Sequence, residues 1–568
     1  MQKILRTSIS QKTMQLIFLA AVVGVISAFI AIGFRYLLSF FQNLFFYQKI
    51  SGIEVSPIDH ELGLWVIIVP AIGGIIVGLI TKFIALEAQG HAVLEVMESI
   101  SLHGGKMRPR IVLFKALASA VSIGSGGAVG REGPIIQVGS GMGSTIGQIL
   151  NLDRDQVKTL VGCGAAGGIA ATFNTPIAGI IFALEIILLE LKSRSFISLV
   201  ISAFFATTIS RIFLGSQPAF EVPAYSFVSL YEIIFYLGLG ILSGITAILL
   251  IRLVYGSEYF FEHKINIPAY LKPALGGLLV GIVGYFFPRV FGYGYDTIAA
   301  MLNQELILRT LLLLFVFKIV AFVITIGSGA SGGIFSPSLF IGAALGAAYG
   351  WILNTPYPEI TAPFGAYALV GMAAVFAAVS RATFAAIIII FELTLDYNII
   401  LPLMFSCVIA DLIAWSFSKD TIYTKKLSLR GINISQDMEA NPLDSISVGE
   451  AMNLTYGVIG SQSVHNAHRR FIEENFTSSC VTDENHILQG IITLKDINQI
   501  PFDKRGEPVR KYIYKPKDVT YPNEYLSEAL YKMAKQNVDV LPVVSSEKSM
   551  KVIGQITRSK IIERMHEK

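Results

Sequence analysis

One acidic residue lies in a glycine-rich interruption of an otherwise apolar stretch. Glu132 belongs to the segment GREGP at 130–134. A carboxylate inside a bilayer costs about 2.5–3.5 kcal/mol on insertion scales, so a residue of this kind points to a function. Pro134 suits the first turn of a helix, and a helix N-terminus attracts anions through its unpaired N–H groups. Glu132 is therefore predicted to compete with a mobile anion at a helix end and to leave when protonated.

Two other interpretations of this motif stay open. Glu132 could pair with Arg131 or another arginine as a purely structural contact. The glycines could instead form a loop for nucleotide phosphates, but the motif lacks the Gly-Lys-Ser/Thr ending of such loops and lies in apolar sequence. We therefore favour the anion gate.

The same interruption occurs a second time without the acid. Residues 124–143 align without a gap with residues 327–346, at an offset of 203. A repeated break of this kind, one in each half, indicates a substrate site between two membrane repeats. The second copy has Ile334 and Phe335 in place of arginine and glutamate. Their amides, after Gly333, are predicted to bind an anion weakly enough for it to leave. Taken alone, this second copy could also be a packing kink.

A third candidate anion site precedes another apolar stretch, in GHAVLE at 90–95. His91 could donate a hydrogen bond, and a positive charge when it is protonated. The alternative is a histidine that caps the helix or lies at the membrane interface.

Composition places most of the chain in a membrane. The 568 residues are 53% hydrophobic and only 15% charged, against about 25% charged in soluble proteins. Residues 14–34 and 233–251 carry no charge and are long enough to span a bilayer. Shorter, broken apolar stretches are typical of helices that stop inside the membrane beside a cavity. The net charge of +4 is too small to indicate nucleic-acid binding.

The chain divides by composition, because charges become frequent after about residue 417. In the tail, GIITLKDI at 490–497 is echoed by GQITRSKI at 554–561, which predicts two small α/β units. Lys3, Arg6 and Lys12 precede the first span, which predicts a cytoplasmic N-terminus, and we expect a cytoplasmic tail. The predicted segments are a membrane domain at 1–428 with repeats at about 14–215 and 227–428, a linker at 429–446, and tail units at 447–503 and 510–568.

The sequence offers little for enzymatic chemistry. Cys163, Cys407 and Cys480 are scattered without metal-ligand spacing. We find no nucleophile–base pair and no cofactor loop, so we expect neither an enzyme nor a required cofactor or metal.

On these motifs the chain resembles the CLC family of chloride channels and chloride/proton exchangers. The family's GREGP motif stands unchanged at 130–134, its GxFxP motif stands at 333–337, and its anion-lining tyrosine corresponds to Tyr423 after the last membrane helix. The tail resembles the tandem CBS pair of many members. The resemblance implies an all-α polytopic fold with two inverted-topology repeats and many broken or tilted helices, followed by a cytoplasmic α/β CBS pair. It also implies a homodimer with one anion pathway in each subunit.

The resemblance assigns roles to individual residues. Glu132 would be the gate and outer proton acceptor. The anion-binding candidates are His91, Ala92, Gly130, Arg131, Gly133, Gly333, Ile334, Phe335 and Tyr423. In the tail, Thr493 and Asp496 would hold the ribose of an adenine nucleotide, whereas Lys560 replaces the acid of the second unit. A tail that only stabilises the dimer is an equal alternative.

Two positions depart from the family pattern. The first anion motif, commonly GSGIPE, is GHAVLE here, with His91 in place of the serine that tunes anion preference. Ile186 occupies the position where exchangers usually have a glutamate that accepts the internal proton. Glu185 could substitute, but it lies about 100° around a helix from that position, and we favour a structural role for it.

Three functions follow, in order of preference. The first is a passive, voltage- or pH-gated chloride channel, favoured by Ile186. The second is a chloride/proton antiporter that uses Glu132 and a non-standard inner proton path. The third is a membrane-anchored nucleotide sensor, which would not need broken helices. The expected location is a bacterial inner membrane.

Overall fold

The computed structural model describes most of the chain as two compact units, Met1–Asp437 and Met438–Lys568. The described residues are 2–52, 55–85, 90–189, 193–216, 223, 225, 228–229, 231–394, 396–429, 443, 446–454, 457–474, 476–515, 518–536, 538–546 and 549–566.

In the described part of its first half, the membrane unit has eight α-helices and one short strand. They are α1 (Gln2–Gln42), α2 (Val69–Phe83), β1 (Gly90–His91), α3 (Ala92–His103), α4 (Arg110–Gly124), α5 (Glu132–Ile149), α6 (Arg154–Phe173), α7 (Pro176–Phe182) and α8 (Ser193–Leu214). A π-helical segment, Ala183–Leu188, follows α7 directly.

The second half repeats this order of helices, but its strand comes before the fifth helix rather than before the third. It contains α9 (Glu232–His263), α10 (Lys272–Phe286), α11 (Tyr295–Leu302), α12 (Leu308–Gly327), β2 (Ser331–Gly332), α13 (Phe335–Asn354), α14 (Phe364–Ser380), α15 (Thr383–Thr394) and α16 (Ile400–Phe417). The short helix α17 (Lys425–Leu429) follows.

Corresponding helices of the two halves make corresponding contacts. The helix pair α5 and α6 packs as α13 and α14 do, while α2 packs on α10 and α7 packs on α15 across the halves. The tight pairs depend on glycine, because a methyl group at Gly139 would overlap the carbonyl of Gly164, and one at Gly342 would overlap that of Gly371. Small residues at helix contacts let the backbones approach closely, as is common inside membranes.

The lengths of the helices agree with a membrane-spanning unit. Eight helical stretches among the described residues are long and apolar enough to cross a bilayer, and α14 and α15 are shorter apolar helices. The predicted all-α membrane fold with broken helices is confirmed.

The tail unit contains two similar α/β units. The first has a three-stranded sheet of β3 (Val458–Ile459), β4 (Ser478–Thr482) and β5 (Leu488–Thr493), with α19 (Val464–Glu473) and α20 (Leu494–Gln499). The second pairs β6 (Val540–Val544) with β7 (Val552–Thr557), with α21 (Leu526–Gln536) and α22 (Arg558–His566). The predicted α/β pair is confirmed.

One predicted boundary differs from the packing. The predicted first tail unit, 447–503, includes the short helix α18 (Val448–Ala451). Val448 and Ala451 instead join the hydrophobic core of the second unit, together with Leu526 and Ile556. The described start of the tail therefore packs with its second unit, since Leu443 and Ile446 before this helix join the same core.

Candidate functional site

Backbone pairing brings the three sequence motifs together. β1 lies parallel to β2, with Gly90 opposite Ser331 and His91 opposite Gly332. The two glycine loops meet directly, because Gly130 and Gly333 exchange two N–H···O bonds of 2.8 Å each. Residues about 200 positions apart thus form one small cluster of main chain.

Glycine is required where the loops meet. A Cβ atom on Gly333 would lie 2.8 Å from the amide nitrogen of Gly133, and one on Gly133 would lie 2.8 Å from the Cα of Gly333. Any side chain at these positions would push the loops apart. The candidates Gly130, Gly133 and Gly333 are therefore positioned as a mutual contact.

Two helices begin at this contact. Helix α5 starts at Glu132 with Arg131 as its N-cap residue, and α13 starts at Phe335 with Ile334 as its N-cap residue. Neither N-cap side chain accepts a hydrogen bond from the first turn. Two helix N-termini, each with unpaired N–H groups and a partial positive charge, are thus brought together as an anion site requires.

The Glu132 carboxylate is held by two hydroxyl groups. The side chain is 1% exposed, Tyr295 Oη donates to its Oε1, and Ser336 Oγ donates to its Oε2 at 2.5 Å. The two hydroxyl oxygens are 3.2 Å apart. The carboxylate therefore has one hydroxyl donor on each oxygen.

Arg131 lies close to Glu132 but makes a longer contact with it. Its Nε atom is 3.9 Å from Glu132 Oε1. Its guanidinium carbon lies 4.9 Å from the ring centroids of both Tyr293 and Tyr295. Arg131 is thus held over two aromatic rings, and its ion pair with Glu132 is accompanied by the shorter hydroxyl contacts.

The other anion-site candidates surround this cluster. Ile334, Phe335 and Tyr423 are each 2% exposed, and Tyr423 is near enough to Glu132 to interact with it electrostatically. The Phe335 ring lies 4.4 Å from that of Phe376. These residues enclose the site with apolar surface on the side of α13 and α14.

The first motif contributes mainly backbone. His91 is placed in β1 beside the second loop, but its side chain lies outside the described part of the structure. Ala92 begins α3 and is 1% exposed. A Cβ atom on Gly133 would lie 3.4 Å from the Ala92 Cβ, so Ala92 borders the glycine contact.

Ile186 and Glu185 lie in the π-helical segment after α7. Ile186 is buried at 1% exposure. The Glu185 carboxylate accepts hydrogen bonds from the Phe384 and Ala385 amides at 3.2 and 2.7 Å, at the start of α15. The geometry gives Glu185 the role of a helix cap, and its use as a proton acceptor stays a prediction.

A matching carboxylate stands in the other half. Glu392 of α15 accepts from the Ile177 and Ala178 amides at 3.0 and 2.7 Å, at the start of α7. Each half therefore caps a helix of the other half with a glutamate. The sequence alone did not indicate this reciprocal capping.

Two buried lysines also follow the repeat. Lys115 and Lys318 are fully buried and are separated by the same offset of 203 residues as the motifs. Lys115 donates to the Gly90 carbonyl at 3.0 Å, and Lys318 donates to the Val290 and Gly292 carbonyls at 2.9 and 2.8 Å. Each lysine holds the loop before α3 or α11. The shared offset was visible in the sequence and could have identified the pair.

A cavity of about 100 Å³ adjoins the site on the side of α11. Its lining includes Gln42, Arg289, Tyr293, Tyr295 and Asp296. Tyr295 thus borders both this cavity and the Glu132 carboxylate.

The tail candidates bond to each other. The Thr493 hydroxyl donates to Asp496 Oδ2 at 2.6 Å and accepts from the Asp496 amide at 3.1 Å, forming a capping box at the start of α20. Burial, and to a smaller extent the nearby Asp496 carboxylate, raise the pKa of Tyr514.

Within the described residues, no group of three or more histidines, cysteines or acids has metal-site geometry.

Comparison with known families gives two matches. A model of the voltage gated chloride channel family matches residues 73–415. A model of the CBS domain matches residues 458–501 and 509–567.

Curated relatives cover most of the membrane unit. The chain is 33% identical over 415 residues to a putative chloride channel protein ClcB-like of Ralstonia nicotianae, covering 72% of this chain and 96% of that protein. It is 31% identical over 506 residues to chloride channel protein CLC-e of Arabidopsis thaliana, covering 79% of this chain and 70% of that protein.

Solved structures share the fold. A slow cyanobacterial Cl⁻/H⁺ antiporter aligns with a TM-score of 0.66 and 26% identity, covering 73% of this chain and 98% of that one. A eukaryotic CLC transporter aligns with a TM-score of 0.64 and 19% identity, covering 96% of this chain and 98% of that one, and thus supports the fold alone.

Proposed function

Since this chain belongs to the CLC family of voltage gated chloride channels, we propose that it conducts chloride through a pathway gated by Glu132 in each subunit of a homodimer. The observation that carries this proposal is the buried Glu132 carboxylate at the point where α5 and α13 begin together. A carboxylate at such a position occupies the place that a mobile anion would take.

The two loops support entry and exit of the anion in different ways. The loop of Ile334 and Phe335 offers amides without a fixed charge, so an anion held there is free to leave. The loop before α5 offers the same backbone together with its own anion, Glu132. Chloride therefore passes this point when the carboxylate moves away or is protonated.

We favour passive conduction over proton exchange. Ile186 has no titratable group, and both carboxylate oxygens of Glu185 are engaged by amides at the start of α15. A proton entering the pathway from the inner side would therefore find no unoccupied carboxylate at position 185 or 186.

Chloride/proton exchange is the second candidate. The observation in its favour is the likeness at 26% identity to a structure described as a slow Cl⁻/H⁺ antiporter. In this case Glu132 is the outer proton acceptor, and the inner path runs through water or Glu185. Either mechanism suits a protein of the bacterial inner membrane whose two termini are cytoplasmic. In either case, adenine nucleotide bound by the tail at Thr493 and Asp496 would regulate chloride transport.

Flux measurements on the purified full chain in liposomes distinguish the two mechanisms. Under an imposed chloride gradient, chloride efflux and internal pH are recorded together, with and without a proton ionophore. We expect chloride efflux without uphill proton movement. Proton movement against its gradient, in fixed ratio to chloride, would establish exchange, and the absence of any chloride flux would refute the proposal.

A further inference from the structure

We propose that Tyr295 and Ser336 are positioning residues that form a hydroxyl latch on the gate, holding the Glu132 carboxylate in its closed position. The inference rests on the proposed function, since it assigns the latch to the Glu132 gate. Tyr295 lies outside the motifs that identify the family, and Ser336 occupies a variable position of the GxFxP motif. Both act through Glu132.

The contacts place two hydroxyl donors where they can hold an ionised carboxylate. Tyr295 Oη donates to one oxygen and Ser336 Oγ donates to the other at 2.5 Å. Each hydroxyl has a single proton to donate. Both protons are therefore used on the carboxylate, and hydrogen bonds to an ionised group are about twice as strong as neutral ones.

Protonation of Glu132 disturbs this arrangement. A neutral carboxyl group carries its own O–H donor, so at one of the two contacts the hydroxyl must change from donor to acceptor. Besides Tyr295 itself, the charged and titratable groups found beside Glu132 among the described residues are Arg131, with its Nε at 3.9 Å, and Tyr423. Arg131 and Tyr423 are unchanged when a latch hydroxyl is removed.

The latch is built from positions where the two halves of the repeat differ. At the common offset of 203, Ser336 corresponds to Gly133 and Tyr295 corresponds to Ala92. The two pairs are neighbours in each half, since Ala92 borders Gly133 and the Tyr295 hydroxyl lies 3.2 Å from that of Ser336. The first half thus contributes the glutamate. The second half contributes two hydroxyl groups at the positions where the first half has only glycine and alanine.

The position of Tyr295 suits a movable element. Its ring lies 4.9 Å from the Arg131 guanidinium carbon and 6.3 Å from the tilted ring of Phe173, and it also lines the cavity beside α11. Movement of Tyr295 would release Glu132 toward this space, and the latch therefore controls how often the gate opens.

The test is chloride efflux from liposomes at neutral pH, with the full chain. We expect Tyr295→Phe and Ser336→Ala each to raise efflux about tenfold, because each removes one hydrogen bond to a charged group. Ser336→Thr, which keeps the hydroxyl, is expected to retain the wild-type rate.

Matched controls separate the latch from general loosening. Tyr225→Phe removes a hydroxyl that donates to the Leu302 carbonyl at the other end of α11. Ser338→Ala removes a buried hydroxyl two residues beyond Ser336, bonded to the Ile334 carbonyl at 2.9 Å. Neither is expected to raise efflux, and an equal increase in either would overturn the latch.

Combination with Glu132→Ala completes the test. This variant has no carboxylate to hold, so Tyr295→Phe and Ser336→Ala should add nothing in its background. An undiminished effect there, or unchanged efflux in both single variants, would overturn the latch alone. If Glu132→Ala does not raise efflux, the gating function itself fails, which keeps the two failures distinct.

Discussion

The segments 130–134 and 333–337 begin α5 and α13 with similar backbones, but only the first carries charged side chains. The two loops exchange backbone hydrogen bonds through Gly130 and Gly333, and each leads into a helix whose N-cap side chain leaves the first turn uncapped. Only the first helix starts with an acid. The backbone that the two halves share provides the anion-binding amides. The few side chains that differ between the halves provide the gate.

The largest expected effect comes from removing the charge that distinguishes the two loops. Glu132→Gln mimics the protonated gate, so we expect chloride efflux at neutral pH to rise about tenfold or more, and its dependence on pH to disappear. Stopped-flow or electrode measurements of efflux between acidic and neutral pH check this. A variant that keeps the wild-type pH dependence would show that Glu132 is not the gate.

The second test breaks the contact that the loops share. In Gly333→Ala the new methyl group would lie 2.8 Å from the Gly133 amide nitrogen, and overpacking of this kind costs about 1–3 kcal/mol. We expect a lower melting temperature and a several-fold loss of chloride flux. Gly33→Ala in α1 is the control, because a Cβ there meets no atom within 4 Å. Equal behaviour of the two variants would contradict a tight junction at Gly333.

The third test uses the exchanged glutamates of the two halves. Glu185→Ala and Glu392→Ala each uncap one helix, so we expect each to lower the free energy of unfolding by about 1–2 kcal/mol. Thermal unfolding in detergent measures this, and proton movement in liposomes is recorded beside it. If Glu185→Ala alone changed proton movement, Glu185 would serve as a proton acceptor and the equivalence of the two caps would fail.

The smallest expected effect concerns the side chain that completes the site. Tyr423→Phe removes only a hydroxyl, so we expect chloride binding, measured by calorimetry, to weaken about threefold to tenfold. Tyr349→Phe, which removes a hydroxyl bonded to the Phe235 carbonyl, serves as the control. Unaltered binding in Tyr423→Phe would remove this residue from the anion site.

Much of the architecture was predictable because it depends on local pattern. The repeated glycine motifs placed the starts of α5 and α13 within a residue or two, since Pro134 and Pro337 fit a first helical turn. The apolar composition indicated the membrane unit, and the short echo in the tail indicated two α/β units. In each case the signal lies within a few neighbouring residues.

The partners of Glu132 were not predictable in this way. Tyr295 is 163 residues from Glu132 and Ser336 is 204 residues away. Tyrosine and serine are common residues. Ser336 lies in the second glycine motif, but no local pattern marks it or Tyr295 as a partner of an acid. The place of α18 in the second tail unit was missed for a related reason, because position along the chain does not decide which core an apolar face joins.

The sequence by itself determined where helices break, which break carries a charge, and that two halves repeat. These properties depend on glycine and proline backbone preferences and on the cost of a charge in a bilayer, which act locally. Only the tertiary structure decided which loop meets which, that two hydroxyls hold Glu132, and that Glu185 and Glu392 cap each other's half. Those outcomes depend on packing between distant segments, where a hydrogen bond forms only if the surrounding helices bring donor and acceptor within reach.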